Sequence, residues 1–261
     1  MLIGGSFARA EEAKVEPPAE QPWGDLTGRF TVDCDELRKA RLFAVNKDEI
    51  ICGKDMQSDT LAVNPKDDGL ANAFIYLRTN PNQAQPPMHP DYEKSAKHEI
   101  PLDMSKSRFS PHAIALRSTQ FLTIAIWDDI SHHPVFSPFA NERWSSANIG
   151  FFDERSHQFS KQEDLPFAAT DACVPDMRGW ILVRGDPYFA VTDESGRFEI
   201  KNLPVGEWTF QLWHEKSGYI QEGKRGGEPE NWPKGRLTVK IASGKNNLGE
   251  LRLSPKLFED K

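Results

Sequence analysis

The stretch Cys173-Val-Pro-Asp-Met177-Arg-Gly-Trp-Ile-Leu-Val-Arg184 decides how this chain of 261 residues is interpreted. Its first five residues place a thiol and a thioether four positions apart, just before a run of branched apolar side chains that predicts a strand. Thiolate and thioether sulfurs at a strand end are typical of a copper-binding loop, which also needs two imidazoles. The loop contains no histidine, so the sequence raises the question of whether the protein still holds metal.

The composition is that of a folded protein with no electrostatic footprint for nucleic acid. Hydrophobic residues make up 38% of the chain, and the formal net charge is -7 with Lys and Arg scattered. A surface of this kind disfavours nucleic acid and anionic membranes as partners. No stretch approaches the roughly 20 apolar residues of a membrane-spanning helix, so no membrane span is expected.

Residues 1–22 are interpreted as the remnant of a signal peptide followed by a disordered linker. Ala8-Arg9-Ala10 stands directly before an acidic, Pro-containing stretch, as at a secretory cleavage site. We therefore expect an exported protein, periplasmic or extracellular. An ordinary disordered terminus is the alternative.

The chain has three cysteines, which allow at most one intramolecular disulfide. Cys34 and Cys52 are the expected pair, and two buried free thiols are the alternative. In either case Cys173 is left as a thiol.

Short strand-like segments predict an all-β fold made of two domains. Leu26–Val32 alternates as a half-buried strand does, and Phe121–Trp127 is rich in β-branched residues. Beyond residue 178, short strands recur at the spacing of a β-sandwich and are joined by turns such as Asp193-Glu-Ser-Gly196. The predicted domains therefore cover 23–177 and 178–261.

Several of these segments resemble cupredoxin-like proteins, which have the blue-copper fold. The nearest resemblance is to a bacterial group called methylamine utilisation proteins, in which a cupredoxin-like domain precedes a sandwich similar to the carboxypeptidase regulatory domain and transthyretin. It implies a cupredoxin-like Greek-key β-sandwich in the first domain and a carboxypeptidase-regulatory-like β-sandwich in the second. The segments that carry it are Phe109-Ser-Pro-His112, Asp129-Ile-Ser-His-His133, Cys173–Met177, Asp186–Asp193 and Asn202–Trp208.

The resemblance also implies a set of copper ligands. His133 matches the family's first imidazole, Cys173 its thiolate and Met177 its axial thioether. The family's closing motif is Cys-x-x-His-x-x-Met, whereas this chain has Cys-x-x-x-Met, so the second imidazole is missing and His112 is the candidate replacement. Because neighbours in an extended segment point to opposite faces, His132 and His133 are not expected to coordinate together.

Each candidate ligand also has a purely structural interpretation. Cys173 is alternatively a small buried apolar residue and Met177 a core residue. His112 and His133 are alternatively loop histidines beside the rigid prolines Pro111 and Pro134.

The function expected from the sequence is non-enzymatic recognition of an unknown protein or glycan partner, by an exported protein with a degenerate type 1 copper site. No cofactor is firmly assigned, although copper is possible, and no catalytic residue is assigned. The sequence contains no Gly-x-Ser-x-Gly elbow, phosphate loop, dinucleotide fingerprint or His-Glu-x-x-His zinc helix.

Two other functions stay open. One is a working copper protein for electron transfer or copper carriage. The other is a carbohydrate or cell-surface binding module in the second domain. For that module, strand alternation predicts Trp213 as the exposed ring and Trp208 as a core residue.

Overall fold

The computed structural model describes residues 22–34, 60–79 and 85–259. Within these ranges the regular structure is nineteen strands and three short 3-10 helices, so the all-β prediction is confirmed. The helices are Pro90–Glu93, Pro233–Gly235 and Pro255–Phe258. Among the described residues no helix has the length and apolar character needed to cross a bilayer. The strands are β1 (Trp23–Val32), β2 (Phe74–Leu77), β3 (Glu99–Ser105), β4 (Arg108–Ser110), β5 (Ala113–Arg117), β6 (Phe121–Ile126), β7 (Pro134–Phe136), β8 (Trp144–Ser145), β9 (Glu154–His157), β10 (Phe167–Asp171), β11 (Arg178–Arg184), β12 (Phe189–Val191), β13 (Arg197–Pro204), β14 (Gly206–His214), β15 (Gly218–Tyr219), β16 (Glu222–Arg225), β17 (Glu228–Asn231), β18 (Arg236–Ile241) and β19 (Gly244–Leu253).

The first sandwich consists of β1, β2 and β12 to β19. One of its sheets has the order β13-β1-β19-β16-β17, and the other has the order β12-β2-β14-β15 with β18 also paired to β14. Alternation directs one side of each sheet inward. Phe30 and Leu251 from one sheet and Ile75 and Phe210 from the other are fully buried in a shared core.

The second sandwich consists of β3 to β11. Its sheets have the orders β5-β11-β10-β7-β8 and β4-β3-β6-β9. Leu102 and Ile124 from one sheet and Phe167 and Ile181 from the other belong to one buried core. Each sandwich therefore has a hydrophobic core of its own.

The two sandwiches pack against each other through the outer faces of their inner sheets. Phe74, Tyr76 and Trp213 of the first sandwich lie in one buried cluster with Ala113 and Leu182 of the second. Sheets that are covered on both faces need apolar residues at consecutive positions, and all four residues of β2 are buried. Within the described residues the sheets of the two sandwiches therefore form a stack of four.

The strand pairing does not follow the predicted division at residues 177 and 178. β11 is predicted to begin the C-terminal domain, 178–261. It lies instead in the second sandwich, between β5 and β10, which both belong to the predicted first domain, 23–177. β1 and β2, predicted in the first domain, pair with β13, β19 and β14 of the first sandwich. The second sandwich is thus inserted between β2 and β12. Local patterns reveal strands but not which distant strands pair, so the sequence alone does not show such an insertion.

The cysteines differ in state. Cys34 is buried and disulfide-bonded, whereas Cys173 is an exposed free thiol. Cys52, its expected partner, lies outside the described residues, as does the predicted terminal segment apart from Pro22. The alternative of a free thiol at Cys34 is wrong.

Candidate functional site

Asp171, the last residue of β10, organises the backbone around the predicted metal ligands. Its Oδ1 accepts hydrogen bonds from the backbone N–H groups of Cys173 and Val174, both at 2.8 Å. Its Oδ2 accepts one from the backbone N–H of His133, also at 2.8 Å. The Ala172 N–H donates in turn to the His133 carbonyl at 2.9 Å. The segments that carry the predicted thiolate and first imidazole are therefore held side by side by one buried carboxylate.

Of the two neighbouring histidines beside Asp171, His132 is the one whose imidazole is buried. His132 is fully buried and His133 is partly exposed, as expected for neighbours in an extended segment. His132 Nε2 lies 3.2 Å from Asp128 Oδ2. His132 Nδ1 lies 3.3 Å from Asp171 Oδ2, without the angles of a hydrogen bond. This cluster is not among the predicted sites, and the spacing of Asp128 and His132 by four residues is the one signal for it in the sequence.

The carboxylate of Asp128 is stabilised in its ionised form. Burial acts to raise the pKa of Asp128, but backbone hydrogen bonds from Ser107 and Lys106 and the contact with His132 lower that pKa by more. The Ser107 N–H lies 2.7 Å from Asp128 Oδ2. An ionised carboxylate therefore stands beside the buried imidazole at neutral pH.

His112 takes part in the contact between the two sandwiches. Its Nε2 contacts Glu215 Oε1, and the Trp180 indole N–H donates to Glu215 Oε2 at 2.7 Å. The side chains of His112 and Glu215 are only 11% and 6% exposed. The Trp180 backbone N–H also donates to the His112 carbonyl at 2.8 Å. The imidazole predicted to replace the missing ligand is thus engaged with a carboxylate of the first sandwich.

The two sulfur residues of the loop have opposite surroundings. Met177 is 2% exposed and belongs to the core of the second sandwich. Its backbone N–H donates to the Val174 carbonyl at 2.9 Å and closes the turn. Cys173 is exposed. The interpretation of Met177 as a core residue fits its burial, whereas the interpretation of Cys173 as a buried apolar residue is wrong.

Residues 22–34, 60–79 and 85–259 contain no group of three or more His, Cys, Asp or Glu side chains that could hold a metal ion. Of the four predicted ligands, the structure brings the backbones of His133 and Cys173 together and engages His112 with Glu215. A large open recess of about 820 Å³ lies elsewhere, along β1, β5, β12 and β13, and none of the four predicted ligands lines it.

Of the two tryptophans considered for carbohydrate binding, Trp213 is placed differently from expectation. Trp213, predicted as the exposed ring, is 7% exposed and packs against Trp180 of the second sandwich with ring centroids 4.8 Å apart. Trp208 is partly buried and packs at the margin of the first core. Alternation separates the two faces of β14 correctly, but the outer face is covered by another sheet.

No protein-family model and no curated protein matches the chain. Among solved structures, a copper-containing nitrite reductase (NirK) from Thermus scotoductus SA-01 is 15% identical over 41% of this chain and 25% of its own, with a TM-score of 0.30. A reduced single-substitution variant of amicyanin is 15% identical over 33% of this chain and 82% of its own, at a TM-score of 0.30.

The Cu(I) form of a further amicyanin variant is 15% identical over 43% of this chain and 99% of its own, with a TM-score of 0.31. The chain spans a quarter of the length of the nitrite reductase. Likeness of this degree identifies no ligand, activity or partner.

Proposed function

We propose that this protein is an exported, non-enzymatic binding protein whose second sandwich is cupredoxin-like and whose type 1 copper site is degenerate. The observation that carries the proposal is the contact of His112 with Glu215 between the sandwiches. Type 1 copper requires a thiolate and two imidazoles near one plane. With no histidine between Cys173 and Met177, His112 is the imidazole that would have to complete the set.

Moving the His112 side chain away from Glu215 to bind a metal would lower the stability of the fold. Glu215 is 6% exposed, and without His112 its carboxylate would keep, within the described part of the chain, only the Trp180 indole as a side-chain donor. Leaving a buried hydrogen-bonding group without its partner typically costs about 1–3 kcal/mol, and more when that group is charged. Core packing of Met177 adds to this, because drawing its sulfur outward would open a void in the second sandwich.

A recognition role is supported by a group of exposed aromatic rings beside the Asp128–His132 cluster. Trp127, Phe151 and Phe152 are 50%, 51% and 69% exposed. The rings of Trp127 and Phe152 stand edge to face with centroids 5.6 Å apart, and those of Phe151 and Phe152 are 3.9 Å apart. Clustered exposed aromatic side chains are typical of contact surfaces.

Export is supported by the disulfide of Cys34, since disulfides persist in oxidising compartments. It agrees with the interpretation of Ala8–Ala10 as the end of a secretory signal. The partner is expected to be a protein or a glycan.

Copper carriage is the second candidate, and one observation favours it. Asp171 holds the backbones of His133 and Cys173 together, and Cys173 is an exposed thiol. A thiolate and an imidazole on adjacent segments are soft and borderline donors of the kind that Cu(I) selects.

Copper titration of the full chain separates the two candidates. We expect no stoichiometric uptake of Cu(I), no uptake of Cu(II) with a strong thiolate-to-copper absorption in the visible, and no difference between the native chain and Cys173→Ser. Binding of one equivalent of Cu(I), or of Cu(II) with that absorption, lost in Cys173→Ser and in His133→Gln, would overturn the proposal in favour of copper carriage.

A further inference from the structure

A second polar site lies where the inner sheets of the two sandwiches meet. It is a cavity of about 250 Å³ whose lining includes four basic side chains, those of Arg78, Arg184, Lys234 and Arg236, and one carboxylate, that of Asp164. The lining therefore carries a formal charge of 4 − 1 = +3, in a chain whose net charge is -7. Such a local reversal of sign favours an anionic ligand.

Arg184 is held in place by neighbouring groups. Its side chain is 2% exposed and lies over the ring of Tyr76, with the guanidinium carbon 5.0 Å from the ring centroid. Its Nη1 donates to the Glu163 carbonyl at 2.8 Å. Its Nη2 contacts the Leu77 carbonyl and Thr79 Oγ1, both at 3.0 Å, and Asp186 Oδ2 at 3.4 Å.

The Nε–H of Arg184 is shielded from solvent and has no hydrogen-bond partner among the described residues. The charge of this guanidinium is therefore not completely satisfied by groups of the protein. Asp186 neutralises part of the Arg184 charge. Even when that pair is set aside, three cations face the single carboxylate of Asp164.

The other three cations are free to meet a ligand. Arg78, Lys234 and Arg236 are exposed, and within the described part of the chain their side chains make no hydrogen bond or ion pair. They come from two places in the chain. Arg78 follows β2, Lys234 precedes β18 and Arg236 begins β18.

The backbone at Lys234 is fixed in a conformation that most residues avoid. Its φ is 57°, in the left-handed region, and its carbonyl accepts a hydrogen bond from Gln211 Nε2 at 2.6 Å. Gly235 follows with a φ of 68°, where a Cβ would lie 2.4 Å from the Leu212 carbonyl oxygen. This turn holds Lys234 at the edge of the cavity, and strain of this kind is concentrated at binding sites.

We propose that this cavity binds a small oxyanion, which is a carboxylate, sulfate or phosphate group either free or carried on a sugar. The buried Arg184 lies in the wall of the cavity and contributes positive charge there, and Arg78, Lys234 and Arg236 neutralise the charge of the anion. Arginine suits this role because its planar donors match the oxygens of such groups. The inference is independent of whether the second sandwich holds copper.

The test is isothermal titration of the full chain with phosphate, sulfate, acetate and glucuronate, at low ionic strength and with a metal chelator present. We expect saturable binding of one equivalent of at least one of these anions. In the double variant Arg78→Gln, Arg236→Gln we expect the affinity to fall at least about tenfold, since two charge-assisted contacts are lost. Tighter binding of glucuronate than of acetate would identify a sugar acid as the preferred class.

Lys240→Gln is the matched control, because it removes one exposed charge from β18 outside the cavity. We expect its affinity to equal that of the native chain. The exposed positions of Arg78 and Arg236 keep the test independent of folding, whereas Arg184 is buried. Absence of saturable binding for all four anions would overturn the proposal. So would an equal loss in Lys240→Gln, or an unchanged affinity in the double variant.

Discussion

His112 Nε2 contacts Glu215 Oε1 across the junction of the two sandwiches, although the residues are 103 positions apart in the sequence. His112 precedes β5 of the second sandwich and Glu215 follows β14 of the first. The Trp180 indole completes the junction on the other carboxylate oxygen. The contact therefore couples the two cores through polar groups that are largely shielded from water.

Trp180→Phe tests the indole hydrogen bond while keeping an aromatic ring in place. We expect a loss of about 2 kcal/mol in the free energy of unfolding, because the acceptor is a shielded carboxylate. Trp208→Phe is the matched control, since it removes an indole hydrogen bond to the neutral Pro204 carbonyl, at 2.6 Å, and is expected to cost about 1 kcal/mol. Urea denaturation measures both. A smaller loss for Trp180→Phe than for Trp208→Phe contradicts the role given to Glu215.

Trp213→Ala tests whether the outer face of β14 is covered. Trp213 is 7% exposed, and truncation of a buried tryptophan costs about 3–5 kcal/mol. Trp127→Ala, at a position 50% exposed, is expected to cost about 1 kcal/mol. Thermal or urea denaturation of both variants gives the comparison, and similar losses would argue that the sandwiches are not packed together.

For Trp213, the sequence predicts the face of the strand on which the ring lies but not what covers that face. Alternation along β14 places Phe210 and Leu212 on the inner face and Trp213 on the other, as the structure has it. It does not reveal that a second sheet covers the outer face, because that contact depends on Leu182, a residue distant in the chain.

The candidate site is likewise predictable from the sequence where it depends on local segments, and not where it depends on contacts between distant ones. The loop from Cys173 to Met177 can be placed at a strand end from local sequence. That this loop lies close to His133 in space follows from the family resemblance. The engagement of His112 by Glu215 has no local signal, since it arises when separate sandwiches meet. Insertion of the second sandwich between β2 and β12 is hidden for the same reason.

His214 makes the stability of the fold depend on pH. It is fully buried, and burial, followed by the nearby charge of His112, lowers the pKa of His214 from 6.5 to about 3. Below pH 6.5 the unfolded chain therefore gains a proton that the folded chain does not bind until about pH 3. Stability falls as the pH falls through this window, by about 2 kcal/mol at pH 5 from this group alone.

In His214→Asn we expect the loss of stability between pH 7 and pH 5 to be smaller by about that 2 kcal/mol. Exposed His98 provides the control, and His98→Asn is expected to keep the native slope. The measurement is the free energy of unfolding in urea at several pH values. An unchanged slope in His214→Asn would show that the imidazole is not kept neutral by burial.

Asp171→Ala tests the carboxylate that ties the candidate loop together. It leaves the N–H groups of His133, Cys173 and Val174 without their acceptor. We expect faster hydrogen exchange at these three amides and a loss of about 2–3 kcal/mol in stability. Asp176→Ala removes an exposed carboxylate from the same loop and is expected to leave the exchange of these amides unchanged. Equal protection in the two variants would contradict this role of Asp171.

The most direct test of the central claim is a double-mutant cycle of His112→Gln and Glu215→Gln in urea, repeated with and without one equivalent of copper. The claim is that His112 joins the two sandwiches instead of binding metal. It predicts a coupling free energy of about 1–3 kcal/mol that copper does not change. A coupling near zero, or one that copper abolishes by drawing the imidazole away from Glu215, would contradict it.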